Sequence, residues 1–178
     1  SAMHMSDERE IKADPATVYA AILDPGMLKA CVPGASEVEG NPQDGYTATV
    51  TQKVGPVKAT FKGQVTMSDM VENEKLTIAG EGKGGAAGFA KGGATVTLAP
   101  AGEGATLLSY EVEAKVGGKL AQLGSRLIDG FAKKMADQFF QNLQSQIEGE
   151  DEESAEEGGE EAGTGEKKGW FKRVTGRE

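Results

Sequence analysis

Residues 119–147, KLAQLGSRLIDGFAKKMADQFFQNLQSQI, place apolar side chains at Leu120, Leu123, Leu127, Ile128, Phe131, Met135, Phe139, Leu143 and Ile147. Steps of three and four residues repeat over the whole stretch. That spacing puts all nine on one face of a helix. The pattern predicts one long amphipathic helix near the C-terminus, starting at about Lys119. Gly124 and Gly130 each weaken it by about 1 kcal/mol. They allow close approach to a neighbouring sheet, or they leave room for a ligand.

Upstream of the helix the period changes to two. Tyr46, Ala48, Val50, Gln52 and Val54 share one strand face, and Thr47, Thr49, Thr51 and Lys53 share the other. Gly55-Pro56 signals a turn. Val57, Ala59, Phe61, Gly63, Val65 and Met67 form the next inward set, continued by Leu76, Ile78 and Gly80. Ala94, Val96 and Leu98 make a short strand, and residues 106–116 a long one. Residues 80–93 are rich in Gly and Ala, which predicts a strand with a flexible or bulged edge. Ahead of the sheet, Asp14-Pro15 and Asp24-Pro25 each open a short helix, with Asp as the cap and Pro at the first helical position. The second carries Met27 and Leu28 and stops near Val32-Pro33-Gly34.

The fold class is therefore α+β: a curved antiparallel sheet around one long helix, with two short helices before it. A sheet with one apolar face needs a cover, and the long helix is the only large one. A curved sheet gripping a single helix leaves an apolar space between them, where ligands bind. The candidate lining residues are Met27, Leu28, Phe61, Val65, Met67, Ile78, Phe89, Val96, Leu123, Leu127, Phe131 and Met135. Phe61, Met67, Phe131 and Met135 suit a flat apolar ligand, since Met adapts and aromatics stack. The competing reading of that stripe is ordinary core. Phe89 either closes over a ligand or fills the core.

Catalytic equipment is sparse. Ser1 to His4 reads as a cloning remnant, with Met5 as the start, and His4 is the one histidine. The usual general base near neutral pH is then missing. Cys31 stands alone, without a disulfide, a metal pair or an activating base, and reads as a small buried hydrophobe. Tyr19, Tyr46 and Tyr110 read as core and rim residues. The Gly80, Gly82, Gly84 and Gly85 cluster lacks the strand-turn-helix setting and the Gly-Lys-Ser/Thr ending of a phosphate loop. No metal site is expected. Lone cysteine usage fits a reducing, cytoplasmic setting, and no apolar run is long enough to span a bilayer.

The formal charge of -9 is unevenly spread. Residues 148–166 hold ten acids and no base, and residues 167–178 hold five bases and one acid. Residues 1–147 keep 14 bases against 17 acids, which gives no argument for nucleic-acid binding. Four segments follow: the remnant 1–4, a ligand-binding domain over 5–147, a disordered acidic linker over 148–166, and a tip over 167–178. The linker has too few apolar groups to offset its ordering entropy. In the tip, Trp170 and Phe171 sit among Lys167, Lys168, Lys172 and Arg173. It reads as a docking element for an anionic membrane or a partner protein, too short to hold a membrane alone, or as a weakly attached end.

Three stretches resemble one family. They are Asp24-Pro25 through Cys31-Val32-Pro33-Gly34, Val54-Gly55-Pro56-Val57-Lys58-Ala59 with Phe61-Lys62-Gly63, and the run from Gly117 to Arg126 (GGKLAQLGSR). In this order and spacing they are similar to the CoxG subunit of carbon monoxide dehydrogenase. The resemblance implies the START-like, Bet v 1-like (SRPBCC) helix-grip superfamily, whose members enclose a hydrophobic cavity. It implies an accessory of aerobic molybdenum CO dehydrogenase, linking that complex to the cytoplasmic face of the membrane, with no catalytic residues to carry over. Some relatives have a hydrophobic C-terminal anchor, which residues 148–178 lack.

The expected ligand is a hydrophobic small molecule or lipid, with a respiratory quinone such as menaquinone as the physical candidate, and no covalent cofactor. The alternatives are a pure recruitment or assembly factor, and a cyclase or hydratase. The enzyme reading predicts a polar residue in the cavity, for which Gln52 is a candidate.

Overall fold

The structure is a computed structural model that describes residues 2–159, with side chains over 3–149. Seven strands form one antiparallel sheet: β1 (Ala2–Ile11), β2 (Ala35–Asn41), β3 (Gly45–Val54), β4 (Val57–Val71), β5 (Lys75–Lys83), β6 (Phe89–Pro100) and β7 (Thr106–Gly117). Their order across the sheet is β1-β7-β6-β5-β4-β3-β2. Helices α1 (Pro15–Leu23) and α2 (Pro25–Cys31) join the two edge strands, and α3 (Ser125–Gly159) covers the inner face.

One of the two helix-start signals holds as read and the other differs. The Asp24 carboxylate accepts from the Met27 amide at 2.8 Å, capping α2, an interaction worth about 1 kcal/mol. Asp14 sits at the N-cap of α1 but makes no side-chain cap bond. The initial turn there is fixed by Pro15, whose ring presets φ.

Strand β1 departs from the sequence reading. Residues 2–4 lie within it, and the whole strand pairs with β7, from Ala2 opposite Lys115 to Ile11 opposite Thr106. Met3 and Ile11 are buried. Charged residues at Asp7, Glu8, Arg9 and Glu10 mask the period-two pattern in the sequence.

The long helix also differs. Residues 118–123 form a 3-10 segment, and Gly124, at φ +98°, separates it from α3. A side chain is strained in that left-handed region, so the glycine sets the joint. The backbone of α3 continues past Ile147 through residues 148–159, part of the acidic segment. Residues 160–178, including Lys167, Lys168, Trp170, Phe171, Lys172 and Arg173, lie outside the described residues.

The buried apolar residues fall into two clusters. The larger joins α1, α2 and the second half of α3 to the sheet, with Ile22, Met27, Leu76, Val96, Tyr110, Phe140 and Leu143 inside it. The smaller holds Val54, Leu120 and Ile128, packed by Val57, Phe61, Val116, Leu123 and Phe131. Among the described residues, the hydrogen bonds that tie α3 to α2 and the sheet run from Asp137 onward. Tyr110 donates to Asp137 at 3.2 Å, Asn142 to the Cys31 carbonyl at 2.9 Å, Arg9 to Gln144 at 2.8 Å, and Gln144 to the Glu10 carbonyl at 3.0 Å.

Candidate functional site: an apolar cavity between sheet and helix

Between the two clusters lies a cavity of about 440 Å³. Its helix wall is Ile128, Phe131, Ala132, Met135, Ala136 and Phe139. Leu28, Val32 and Pro33 of the α2 region close one side. The sheet contributes Val38, Val50, Val54, Phe61, Val65, Ile78, Val112 and Val116. Most of these side chains are only half-buried, whereas the two flanking clusters are closed. Apolar groups left half-buried on an inner face lose burial that a filled core would give them.

Small residues create the space. One register row across the sheet reads Ala48, Gly63, Gly82, Ala90, and the next reads Val65, Gly80, Gly92, Ala114. Inward-facing glycines and alanines make a floor of bare backbone. This corrects the reading of residues 80–93: β5 and β6 pair without a register shift from Lys75–Thr97 to Lys83–Phe89. The glycines hollow out the sheet instead of loosening its edge. Bulges occur elsewhere, between Ser68 and Val71 and between Ala35 and Glu37.

Of the twelve expected lining residues, Leu28, Phe61, Val65, Ile78, Phe131 and Met135 line the cavity. Met27, Met67 and Val96 are in the closed core instead. Leu123 packs against the smaller cluster. Leu127 is 42% exposed, and its Cδ2 abuts the Gly55 turn. Phe89 is 42% exposed and lies on the outer face, because its register partners are Lys83 and Gly117. Neither of the two roles read for it holds. Val38, Ala48, Val50, Val112, Ala132, Ala136 and Phe139 also line the cavity and are absent from the expected set. The period-two and helical patterns contain Ala48, Val50, Val112 and Phe139 but not Val38, Ala132 or Ala136, and nothing in the sequence separates a lining position from a packed one.

Polar chemistry inside is limited. Gln52 lines the cavity, and its Nε2 donates to the Pro33 carbonyl at 2.6 Å. Cys31 is buried with its Sγ 3.4 Å from Met27 Sδ, in line with the hydrophobe reading. No group of three metal-binding side chains occurs among the described residues. A hollow of about 390 Å³ at β1, β6 and β7 is lined by Ser6, Asp7, Glu8, Thr95, Thr97, Ser109, Tyr110 and Glu111, a far more polar set than the walls of the cavity between sheet and helix.

The tyrosines are held neutral. The Tyr46 hydroxyl donates to the Leu23 carbonyl at 2.6 Å; burial, with the Asp24 carboxylate nearby, pushes its pKa up to about 12. Burial, then the Asp137 charge, pushes Tyr110 up to about 12. Burial raises Tyr19 as well, and its buried hydroxyl has no hydrogen-bond partner among the described residues. A folded pKa above the unfolded value means the native state binds more protons in between. The stabilisation is fully present below the ordinary value of 10.0 and is lost as pH rises through about 12. Urea midpoints measured against pH are expected to fall in that window, and a Tyr46→Phe, Tyr110→Phe variant to fall less. Equal falls in both proteins would show that these hydroxyls do not control the alkaline limit.

No helix among the described residues is long and apolar enough to cross a membrane. A conserved protein from Geobacillus kaustophilus shares the fold at 27% identity, with a TM-score of 0.75, covering 83% of this chain and 97% of that one. A START superfamily protein from Mycobacterium smegmatis aligns at 15% identity and TM-score 0.62, covering 82% and 97%. The Zhui aromatase/cyclase from Streptomyces sp. R1128 aligns at 11% identity and TM-score 0.62, covering 84% and 96%. At those identities the last two bear on the fold alone, which is START-like, as the sequence resemblance implies. No curated protein matches the sequence. Residues 8–148 match the family described as the carbon monoxide dehydrogenase G subunit (CoxG). The chain belongs to that family.

Proposed function

We propose that the protein is a non-enzymatic accessory of aerobic molybdenum CO dehydrogenase that carries a respiratory quinone, such as menaquinone, between the enzyme and the membrane electron-transport chain. The observation that carries this reading is the open apolar cavity of about 440 Å³ flanked by two closed clusters. Its size lies in the ordinary range for small-molecule sites. The space suits a quinone ring and the near part of an isoprenoid chain, with the rest leaving through the opening. Such a ligand cannot cross water unaided, and burial against Phe61, Phe131, Met135 and Phe139 removes its apolar surface from solvent. The family description, that of a carbon monoxide dehydrogenase subunit, supports that enzyme as the partner.

Catalysis in the cavity is the second reading, favoured by the fold shared with an aromatase/cyclase. Against it, Gln52 is neutral and tied to Pro33, and two of the three tyrosines bond elsewhere. An acid–base enzyme needs a titrating group within reach of its substrate.

Lipid extraction of the purified protein, followed by mass spectrometry, tests the proposal. A quinone retained from the cell, or taken up on incubation with menaquinone, is the expected result. Folded protein that neither retains nor takes up a quinone overturns it.

A further inference from the structure

Three cross-strand pairs on the outer face of the sheet join lysine to lysine. Lys53 is opposite Lys58, Lys62 is opposite Lys83, and Lys91 is opposite Lys115. Like charges directly opposite one another destabilise a sheet. All six are exposed, and none makes an ion pair or a side-chain hydrogen bond among the described residues. The three pairs gather at one end of the sheet, where β3 turns into β4, β5 leads to β6, and β7 leaves. Of the sheet acids there, Glu113 lies 3.8 Å from His4, Glu81 stands opposite Lys91, and Glu37 and Glu39 on the β2 edge share the register rows of Lys62–Lys83 and Lys91–Lys115, four acids beside six lysines. The turns at the opposite end are acidic, with Asp44, Glu72, Glu74 and Glu103. Near-balance in the sequence thus conceals a molecule that is basic at one end and acidic at the other.

Phe89 lies within this basic patch. It shares a register row with Lys62 and Lys83, is two residues from Lys91, and is 42% exposed. Its ring lies across Gly117, where an added Cβ would collide with Phe89 Cε2. One apolar ring surrounded by basic side chains is the arrangement of an interfacial contact. Lysine, unlike arginine, acts as a flexible point charge and does not fork onto a single phosphate. Six lysines on one sheet face therefore fit a diffuse negative surface better than discrete phosphates on a nucleic acid, which also call for stacking partners.

We propose that this outer face, Lys53, Lys58, Lys62, Lys83, Lys91 and Lys115 around Phe89, docks the domain on an anionic lipid surface. The face serves the membrane link of the proposed function, on which it rests, but needs no ligand in the cavity. The acidic end would point away from the lipid.

Flotation of the full chain with vesicles tests it, using phosphatidylcholine alone and phosphatidylcholine with phosphatidylglycerol, at low and high salt. The wild type is expected to bind the anionic vesicles, and to release at high salt. K62Q, K83Q, K91Q and K115Q together are expected to weaken that binding on the order of 1,000-fold. Their unfolding midpoint should stay level or rise, because repulsion is relieved. A parallel W170A, F171A variant separates the tip from the face. Undiminished vesicle binding by the quadruple lysine variant overturns the proposal. So does lysine-dependent binding to polyglutamate without vesicle binding, which would make the face a protein interface. Quinone uptake, measured separately, stands or falls without changing either result.

Discussion

Two phenylalanines placed on the helix wall, Ala132→Phe and Ala136→Phe together, are expected to abolish quinone uptake and leave the fold intact. Both alanines are half-buried and face the cavity. A space of about 150 Å³ accepts a benzene ring. Two rings therefore take more than half of the 440 Å³ available. The new apolar surface is removed from water, which stabilises by roughly 25 cal/mol per Å² where no clash opposes it. The unfolding midpoint should hold or rise while ligand binding falls at least about tenfold, the usual opposition between a filled site and a working one. Isothermal titration with a short-chain menaquinone analogue, beside urea unfolding, reads both. Binding equal to the wild type would place the ligand elsewhere.

The second large effect is expected at Phe140. Its ring is 2% exposed, stacks on Tyr110 at 4.0 Å between centroids, and meets Phe139 edge-on at 4.9 Å. Phe140→Ala removes this contact, opens a hole in the larger cluster, and should cost about 3–5 kcal/mol. That is a large share of the roughly 5–15 kcal/mol that holds a domain together. Phe131→Ala, one helix face away but half-buried against open space, should cost less than about 1.5 kcal/mol. Urea unfolding of both variants measures the difference. Equal losses would mean that the cavity is closed in solution and that Phe131 packs as a core residue.

The same contrast explains what the sequence can and cannot disclose. Periodicity identifies the inward faces of β3, β4 and α3, and with them Phe61, Val65, Phe131 and Met135. Periodicity marks a face, and a face can be packed or hollow. Met27, Met67 and Val96 have the right phase but lie where α1, α2 and the second half of α3 close over the sheet. Phe89 depends on pairing. Its strand enters the sheet opposite Lys83, and a register shift of one residue would turn it inward. Leu123 and Leu127 depend on where the helix starts, and Gly124 moves that start to Ser125. The glycine-rich segment is the least legible feature, since loss of side chains reads as flexibility in one dimension and as a floor only when four strands are aligned.

That floor has a consequence for ligand range. A Cβ at Gly63 would collide with the Glu81 carbonyl oxygen, and one at Gly92 would come within 2.7 Å of the Glu113 oxygen, so both positions reject a side chain. At Gly80 the nearest atoms, the Gln64 oxygen and Val65 Cγ2, are 3.6 Å away, an ordinary contact. Of these three glycines, Gly80 alone accepts a Cβ without a clash. Alanine there takes up room in the cavity without a clash, so one substitution at Gly80 would narrow the space open to the ligand proposed above.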